Sequence, residues 1–299
     1  KFIGEIKWYL KLPADVEYVS PRIFDYSTSY VNPYVSMEYY AYHTVHELFL
    51  YGDLTLQQWI DIFNRIRFVC DDFKRYTVQD AGIRSALEEM YLTKTLQRFK
   101  KMKKDERFIT FFESPIVVNG KRYLPLNEII ISLEQAIPEM LYDVDTFNII
   151  HGDLCFANIM VDSNFSFIKV IDPRGKFGTY DIYGDFRYEL AKLFHSVDGK
   201  YDFIIKDLFD LDYNSEAACI NYRIQDRKRE FDLYKVFLST FATEIDSDLK
   251  KIELIEALLF LSMIPLHGES IRHQMVMLGT GLEILNRVID IQIGEKKNV

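Results

Sequence analysis

The feature that most constrains how this chain folds is a pair of short motifs, His151-Gly152-Asp153-Leu154-Cys155-Phe156-Ala157-Asn158-Ile159-Met160 and Ile171-Asp172-Pro173-Arg174-Gly175. Asp172 follows Asn158 by fourteen residues. Between them lie two β-prone runs, Ile159-Met160-Val161 and Phe167-Ile168-Lys169-Val170-Ile171, separated by the turn-forming cluster Asp162-Ser163-Asn164. This pattern predicts a hairpin. A hairpin returns the chain to where it began, so Asn158 and Asp172 can meet at one point. Upstream, Phe147-Asn148-Ile149-Ile150 is an apolar run that delivers His151-Gly152-Asp153 to a loop, and Gly152 permits a tight turn there.

The residue types fit one chemistry. Transfer of a terminal phosphoryl group asks the protein mainly for positioning and for neutralisation of charge on the phosphate oxygens. Magnesium, the usual ion in such sites, takes hard oxygen donors and draws only one or two from the protein. The amide carbonyl of Asn158 and the carboxylate of Asp172 suit it. Asp153 is then left for the acceptor. There it would orient or deprotonate a substrate hydroxyl, a role typically worth about 10²- to 10⁴-fold in rate.

These residues carry a resemblance. HGDLCFANIM followed by IDPRG is similar to the aminoglycoside phosphotransferase and choline kinase branch of the protein-kinase-like superfamily, in which His-Gly-Asp stands where protein kinases have His-Arg-Asp. More loosely, it resembles phosphotransferase-like proteins of bacterial capsule and surface-polysaccharide gene sets. The resemblance implies ATP and Mg2+ as cofactors and a hydroxyl-bearing small molecule as acceptor. It also implies a two-lobed, α+β, protein-kinase-like fold with a helix-rich large lobe. Residues 1–42 would be the remainder of the N-terminal lobe and the hinge, and residues 43–299 the helical C-terminal lobe with the catalytic and metal loops. Asp153 would be the catalytic base, Asn158 and Asp172 the magnesium ligands, and His151 a brace for the catalytic loop.

Further positions follow from the same likeness. Tyr183-Gly184-Asp185-Phe186-Arg187-Tyr188-Glu189-Leu190-Ala191 looks like the family's Gly-Asp-Pro-x-x-Asp-Leu-Ala segment. Asp185 would anchor the catalytic loop from a helix start, where the helix dipole favours an acid. The opening segment, ended by Pro13, reads as the helix that carries the kinase glutamate. Glu5 is then either the partner of a phosphate-binding lysine or an exposed helix acid. Val19 to Tyr26 and Tyr34 to Tyr40 read as strands, with Met37, Glu38, Tyr39 and Tyr40 resembling the hinge that takes the adenine ring. A kinase carries its glycine-rich loop and lysine strand ahead of that helix. Lys1 is expected on the same helix as Glu5, so the small lobe reads as truncated: either this is the greater part of a longer protein, or the nucleotide site is degenerate.

Arg174 has two readings. Its guanidinium could hold a carboxylate or phosphate of an acidic acceptor through a bidentate contact, or it could pair with Asp181, Asp185 or Glu189. The pair His43 and His46 lacks further ligands and reads as polar surface. Cys70, Cys155 and Cys219 are odd in number and widely spaced, as in reduced cytoplasmic proteins, and Cys155 reads as a small packing residue. A net charge of -9 argues against nucleic acid as a main partner, since phosphate backbones need a basic surface. The longest nearly unbroken apolar stretch, Ala257 to Leu266, is about half a bilayer span, which argues against membrane insertion.

Elsewhere helices dominate. Thr55-Leu56-Gln57-Gln58 fits a capping box, followed by apolar residues at helical spacing to Phe73. Residues 83–102, 126–142, 203–210, 227–243, 249–264 and 270–291 are also expected to be helical. The runs Ile116-Val117-Val118 and Lys121-Arg122-Tyr123 flank a tight turn at Asn119-Gly120, which predicts a small hairpin from Pro115 to Tyr123. Three functions remain open from the sequence: a kinase of a sugar, amino alcohol or similar precursor; an antibiotic-modifying enzyme of the same chemistry; and a kinase-like binding or regulatory module without turnover.

Overall fold

Two capping boxes open the first long helical block. Thr44 with Glu47 starts the helix Val45–Tyr51, and Thr55 with Gln58 starts the helix Leu56–Lys74. Each box satisfies amides that the first helical turn leaves without partners. Of the apolar stripe expected along the longer helix, Trp59, Phe63, Ile66, Cys70 and Phe73 are buried, Ile60 is half-buried and Leu56 is exposed. The computed structural model describes residues 2–294 as a helix-rich mixture of helices and short strands, in keeping with the α+β expectation. Lys1, expected on the opening helix, lies outside the described residues. The chain forms two compact units: Lys1–Ala86 with Val144–Asp198 and Arg227–Asp248, and Leu87–Asp143 with Gly199–Asp226 and Leu249–Val299.

The first unit contains three small sheets. Ile23–Ser27 pairs with Tyr34–Met37; His43–Thr44, Ile159–Val161 and Ile168–Val170 form a second sheet; Tyr183–Gly184, Phe147–Ile149 and Thr77–Val78 form a third. The expected hairpin is present, antiparallel, with Ile159 opposite Val170 and Val161 opposite Ile168. Asp162 closes its loop by accepting from the amides of Ser166 at 2.7 Å and Phe167 at 2.8 Å. An aromatic cluster forms the core beside it. Phe156 stacks on Trp59 with ring centres 6.2 Å apart and meets Phe49 edge-on at 5.3 Å. Such pairs add roughly 0.5 to 1.5 kcal/mol each beyond the area they bury.

The second unit is built on a sheet ordered Phe209–Asn214, Cys219–Ile224, Ile116–Val118, Lys121–Tyr123. The predicted Asn119-Gly120 turn joins the last two strands, both residues at positive φ. The helices Leu126–Leu141, Leu249–Met263 and Ile271–Leu285 belong to this unit. Among the described residues, no helix is long and apolar enough to cross a membrane.

Several elements differ from expectation. Residues 203–210 are not one helix: a short helix, Tyr201–Ile204, gives way at Asp207, where φ is +55°, to the strand Phe209–Asn214. Its partner is Cys219–Ile224, and the cross-strand ladder outweighs local helical preference. The helix expected over 227–243 begins only at Leu233, because Asp232 caps it through the amide of Lys235. The last described helix ends at Leu285 rather than near 291. The strand expected from Val19 starts at Ile23, and Glu17–Val19 forms a 3-10 turn. The stretch Ile83–Met102 is helical throughout but has a π-helical centre at Glu88–Thr93.

Candidate active site

Residues three and four apart share one face of a helix. On the helix Phe186–Val197 this rule aligns Glu189, Lys192 and Ser196, all buried in an otherwise largely apolar segment. The three side chains hold the loop that carries His151 to Asn158. Glu189 accepts from the backbone amides of His151 at 3.0 Å and Gly152 at 2.6 Å. Lys192 Nζ lies 2.8 Å from Asp153 Oδ1. Ser196 Oγ accepts from the amide of Phe156 at 3.2 Å. The same helix therefore grips both backbone and carboxylate of the loop.

Charge in this cluster is set by burial against pairing. Burial pushes the Glu189 carboxyl up to about 8, against the pull of the two amides it accepts from. Burial also opposes the charge on Lys192, yet the Asp153 carboxylate and neighbouring groups outweigh it and hold the ammonium above the ordinary lysine value. His151 is buried, and desolvation lowers its pKa to about 4. Its ring is accordingly neutral near pH 7: Nδ1 accepts from the amide of Asp153 at 3.3 Å, so Nε2 carries the proton and donates to the carbonyl of Ile171 at 2.9 Å. Trp8 packs edge-on against this ring at 5.4 Å.

The second motif meets the first along its backbone. Besides the His151 ring on Ile171, the amide of Ile171 donates to the carbonyl of Asn158 at 3.0 Å, and that of Arg174 donates to the carbonyl of His151 at 2.9 Å. Asn158 Nδ2 donates to the carbonyl of Asp153 at 2.8 Å, which fixes the amide plane and leaves Oδ1 as an acceptor. Asp172 has φ of +56°, a left-handed conformation that Asp tolerates better than most residues, and its amide donates to Tyr9 Oη at 3.1 Å. Gly152, at φ +77°, sits where a Cβ would come within 2.8 Å of Arg174 Cβ. His151, Asp153, Asn158 and Asp172 are thus laced into one small region. Asn158 and Asp172 present two hard oxygens, a donor set that fits magnesium.

The opening helix, Phe2–Lys11, reaches this region too. A Cβ on Gly175 would lie 2.1 Å from the carbonyl oxygen of Gly4, so the helix approaches the second motif backbone to backbone. Glu5, one turn before Tyr9, is close enough to be felt there: burial first, then the Glu5 and Asp172 carboxylates, hold the Tyr9 hydroxyl protonated, against the Asp172 amide.

The remaining expected site residues are placed as follows. Met37 ends its strand opposite Ile23, and the amide of Glu38 donates to the carbonyl of Arg22 at 2.8 Å. Tyr40 donates to Glu38 at 2.8 Å, while Tyr39 is exposed. Lys169, from the hairpin, stands 5.0 Å over the Tyr40 ring and donates to the carbonyls of Tyr18 and Ser20, so it ties the Glu38–Tyr40 segment to the strand before Asp172. Arg174 donates to Tyr188 Oη at 2.8 Å. Of the acids considered for it, Asp181 pairs with Lys11 and Glu189 binds the loop amides. Asp185, expected to anchor the catalytic loop, caps its own helix through the amide of Arg187 and forms a fork with that residue's guanidinium at 2.7 Å. Glu189 is a carboxylate that does bind the loop backbone. Read from sequence, Glu189 is only an alternative partner of Arg174, and Lys192 carries no signal of its own.

No protein-family model matches this chain, and no curated protein does. Among solved structures it is similar to choline kinase from Cryptosporidium parvum Iowa II, at 10% identity and a TM-score of 0.43, covering 95% of this chain and 75% of that one. It is also similar to a glucosamine kinase in complex with glucosamine, ADP and inorganic phosphate, at 10% identity and a TM-score of 0.46, covering 96% of this chain and 68% of that one.

Proposed function

We propose that this chain is an ATP-dependent phosphotransferase that moves a terminal phosphoryl group onto a hydroxyl of a small molecule. A sugar, an amino alcohol or a related precursor of surface polysaccharide or matrix, handled in the cytoplasm, is the acceptor class we infer. One observation carries the reading: a buried ammonium, Lys192, is used to hold one carboxylate, Asp153, at the partly exposed edge of a loop. Burying an ammonium costs several kcal/mol unless it is paired, and a loop with only a structural task has no need of that partner.

In this reading Asp153 accepts a hydrogen bond from the acceptor hydroxyl and takes its proton as the new oxygen–phosphorus bond forms and the bond to the leaving ADP breaks. Lys192 keeps the carboxylate aimed. Glu189 and His151 fix the loop backbone, and Asn158 holds it from the other side. Oδ1 of Asn158 and the carboxylate of Asp172 are the groups that would hold magnesium, which when bound neutralises phosphate charge. Met37, Glu38, Tyr39 and Tyr40 border the adenine, and Glu5 is the acid for a phosphate-binding lysine. Arg174, held at Tyr188, is the residue assigned to an acidic group of the acceptor. The free thiols suit the cytoplasm.

The test is ADP release from ATP and magnesium in the presence of hexoses, hexosamines and amino alcohols. Turnover with at least one class, reduced about 10²- to 10⁴-fold in Asp153→Asn with nucleotide binding retained, is the expected result. Full turnover in Asp153→Asn removes Asp153 from its role.

A further inference from the structure

Three potential metal ligands lie within seven residues of the second unit, His267, Glu269 and His273, in a part of the chain that the phosphotransferase reading does not use. One ligand atom from each lies within 4.8 Å of the others. The local fold holds them. His267 ends the 3-10 turn Ile264–Leu266, and Ser270 caps the helix Ile271–Leu285 by accepting from the amide of His273 at 3.3 Å. The intervening loop is thus fixed at both ends.

The two rings are oriented as ligands are. A metal-bound imidazole usually has its other ring nitrogen engaged by a carboxylate or another polar group, which sets the tautomer. Here Nε2 of His273 faces Asp207 Oδ1 at 3.0 Å, and Nε2 of His267 faces Tyr201 Oη at 3.5 Å. Nδ1 of His267 faces Glu269 Oε1 at 3.1 Å. The imidazoles are mostly covered, with side chains 18% and 12% exposed, whereas the Glu269 carboxylate is 65% exposed. A tetrahedral zinc with bonds of about 2.0 to 2.2 Å holds its ligand atoms roughly 3.3 to 3.6 Å apart. The His267–Glu269 pair is already within that distance, and a rotation of the exposed carboxylate or a small ring movement closes the rest.

We propose that His267, Glu269 and His273 form a site for a divalent transition-metal cation of zinc type, with Asp207 and Tyr201 orienting the two imidazoles. Two nitrogens and one carboxylate oxygen select zinc or cobalt over magnesium, which prefers an all-oxygen shell. The bound ion joins the turn before the last described helix to Asp207 at the entry to the strand Phe209–Asn214.

The experiment titrates zinc chloride into the whole chain by calorimetry in a large excess of magnesium, which occupies oxygen-donor sites. The parallel measurement is visible absorption of the cobalt-loaded protein. Expected are about one zinc per chain, a tetrahedral cobalt band, and loss of both in His267→Gln with His273→Gln, while Asp172→Asn retains both. Asp207→Asn, an exposed change that leaves all three ligands in place, lowers zinc affinity about 10- to 100-fold. Circular dichroism of each metal-free variant checks the fold. No zinc binding in the presence of magnesium, or unchanged binding in the double variant or in Asp207→Asn, overturns the proposal.

Discussion

Replacing Glu189 by Gln isolates the electrostatics of the loop brace. The folded-state pKa of Glu189, about 8, lies above its ordinary value of 4.5, because burial outweighs the two amides that favour the ionised form. The folded state therefore keeps a proton that the unfolded chain loses. That contribution is fully present below about pH 4.5 and is lost as the pH rises through about 8; at about 1.4 kcal/mol for each pH unit, roughly 4 to 5 kcal/mol disappears over that window. Gln cannot titrate. At low pH the variant is the less stable protein by roughly 1 to 3 kcal/mol, because its amino group faces a peptide N–H and leaves one buried donor without an acceptor. As the pH rises only the wild type loses stability, so the gap narrows and then reverses. Urea unfolding at steps from about pH 5 to 9 measures it, and the wild-type-minus-variant difference cancels groups common to both. A gap that stays constant across this range shows Glu189 to be ionised throughout, contrary to a raised pKa.

Other changes probe the same machinery. Lys192→Met removes the ammonium on Asp153 and should lower kcat by about 10²-fold or more with nucleotide affinity unchanged; an unaltered kcat in steady-state assays removes Lys192 from the mechanism. Tyr9→Phe deletes the acceptor for the Asp172 amide and should cost about 1 kcal/mol in chemical unfolding, together with weaker magnesium-dependent nucleotide binding. Unchanged values for both would show that water serves that amide equally well.

What the sequence reveals is local. The hairpin between Asn158 and Asp172 is legible because two apolar strands, a turn cluster and their lengths leave one simple pairing. The helix Leu56–Lys74 and the Asn119-Gly120 turn are legible for the same reason: cap, periodicity and turn chemistry lie in consecutive residues. The strand Phe209–Asn214 escapes such reading because its hydrogen-bond partners are supplied by Cys219–Ile224, not by its own residues. In the site, Asp153, Asn158 and Asp172 stand out through their spacing. Glu189 and Lys192 do not, because each alone looks like a surface charge. Only the fold shows that the helix bearing them is buried nearly all round. Asp185 is legible as a helix-start acid, and it caps its helix through the amide of Arg187. The His267-x-Glu269-x-x-x-His273 pattern is easily overlooked beside His43 and His46, although its ligands need only a turn to converge.

Retention of a magnesium-bound nucleotide by Asn158 and Asp172 beside Asp153 is the core of the proposed function. Its most direct test is calorimetric titration of ATP into the whole chain, with and without magnesium, for the wild type and Asp172→Asn. Asn tolerates the left-handed backbone at this position, so the substitution removes charge with little strain. Expected is ATP binding that depends on magnesium in the wild type and loses that dependence in the variant. Binding that ignores magnesium, or a variant that binds as the wild type does, contradicts it.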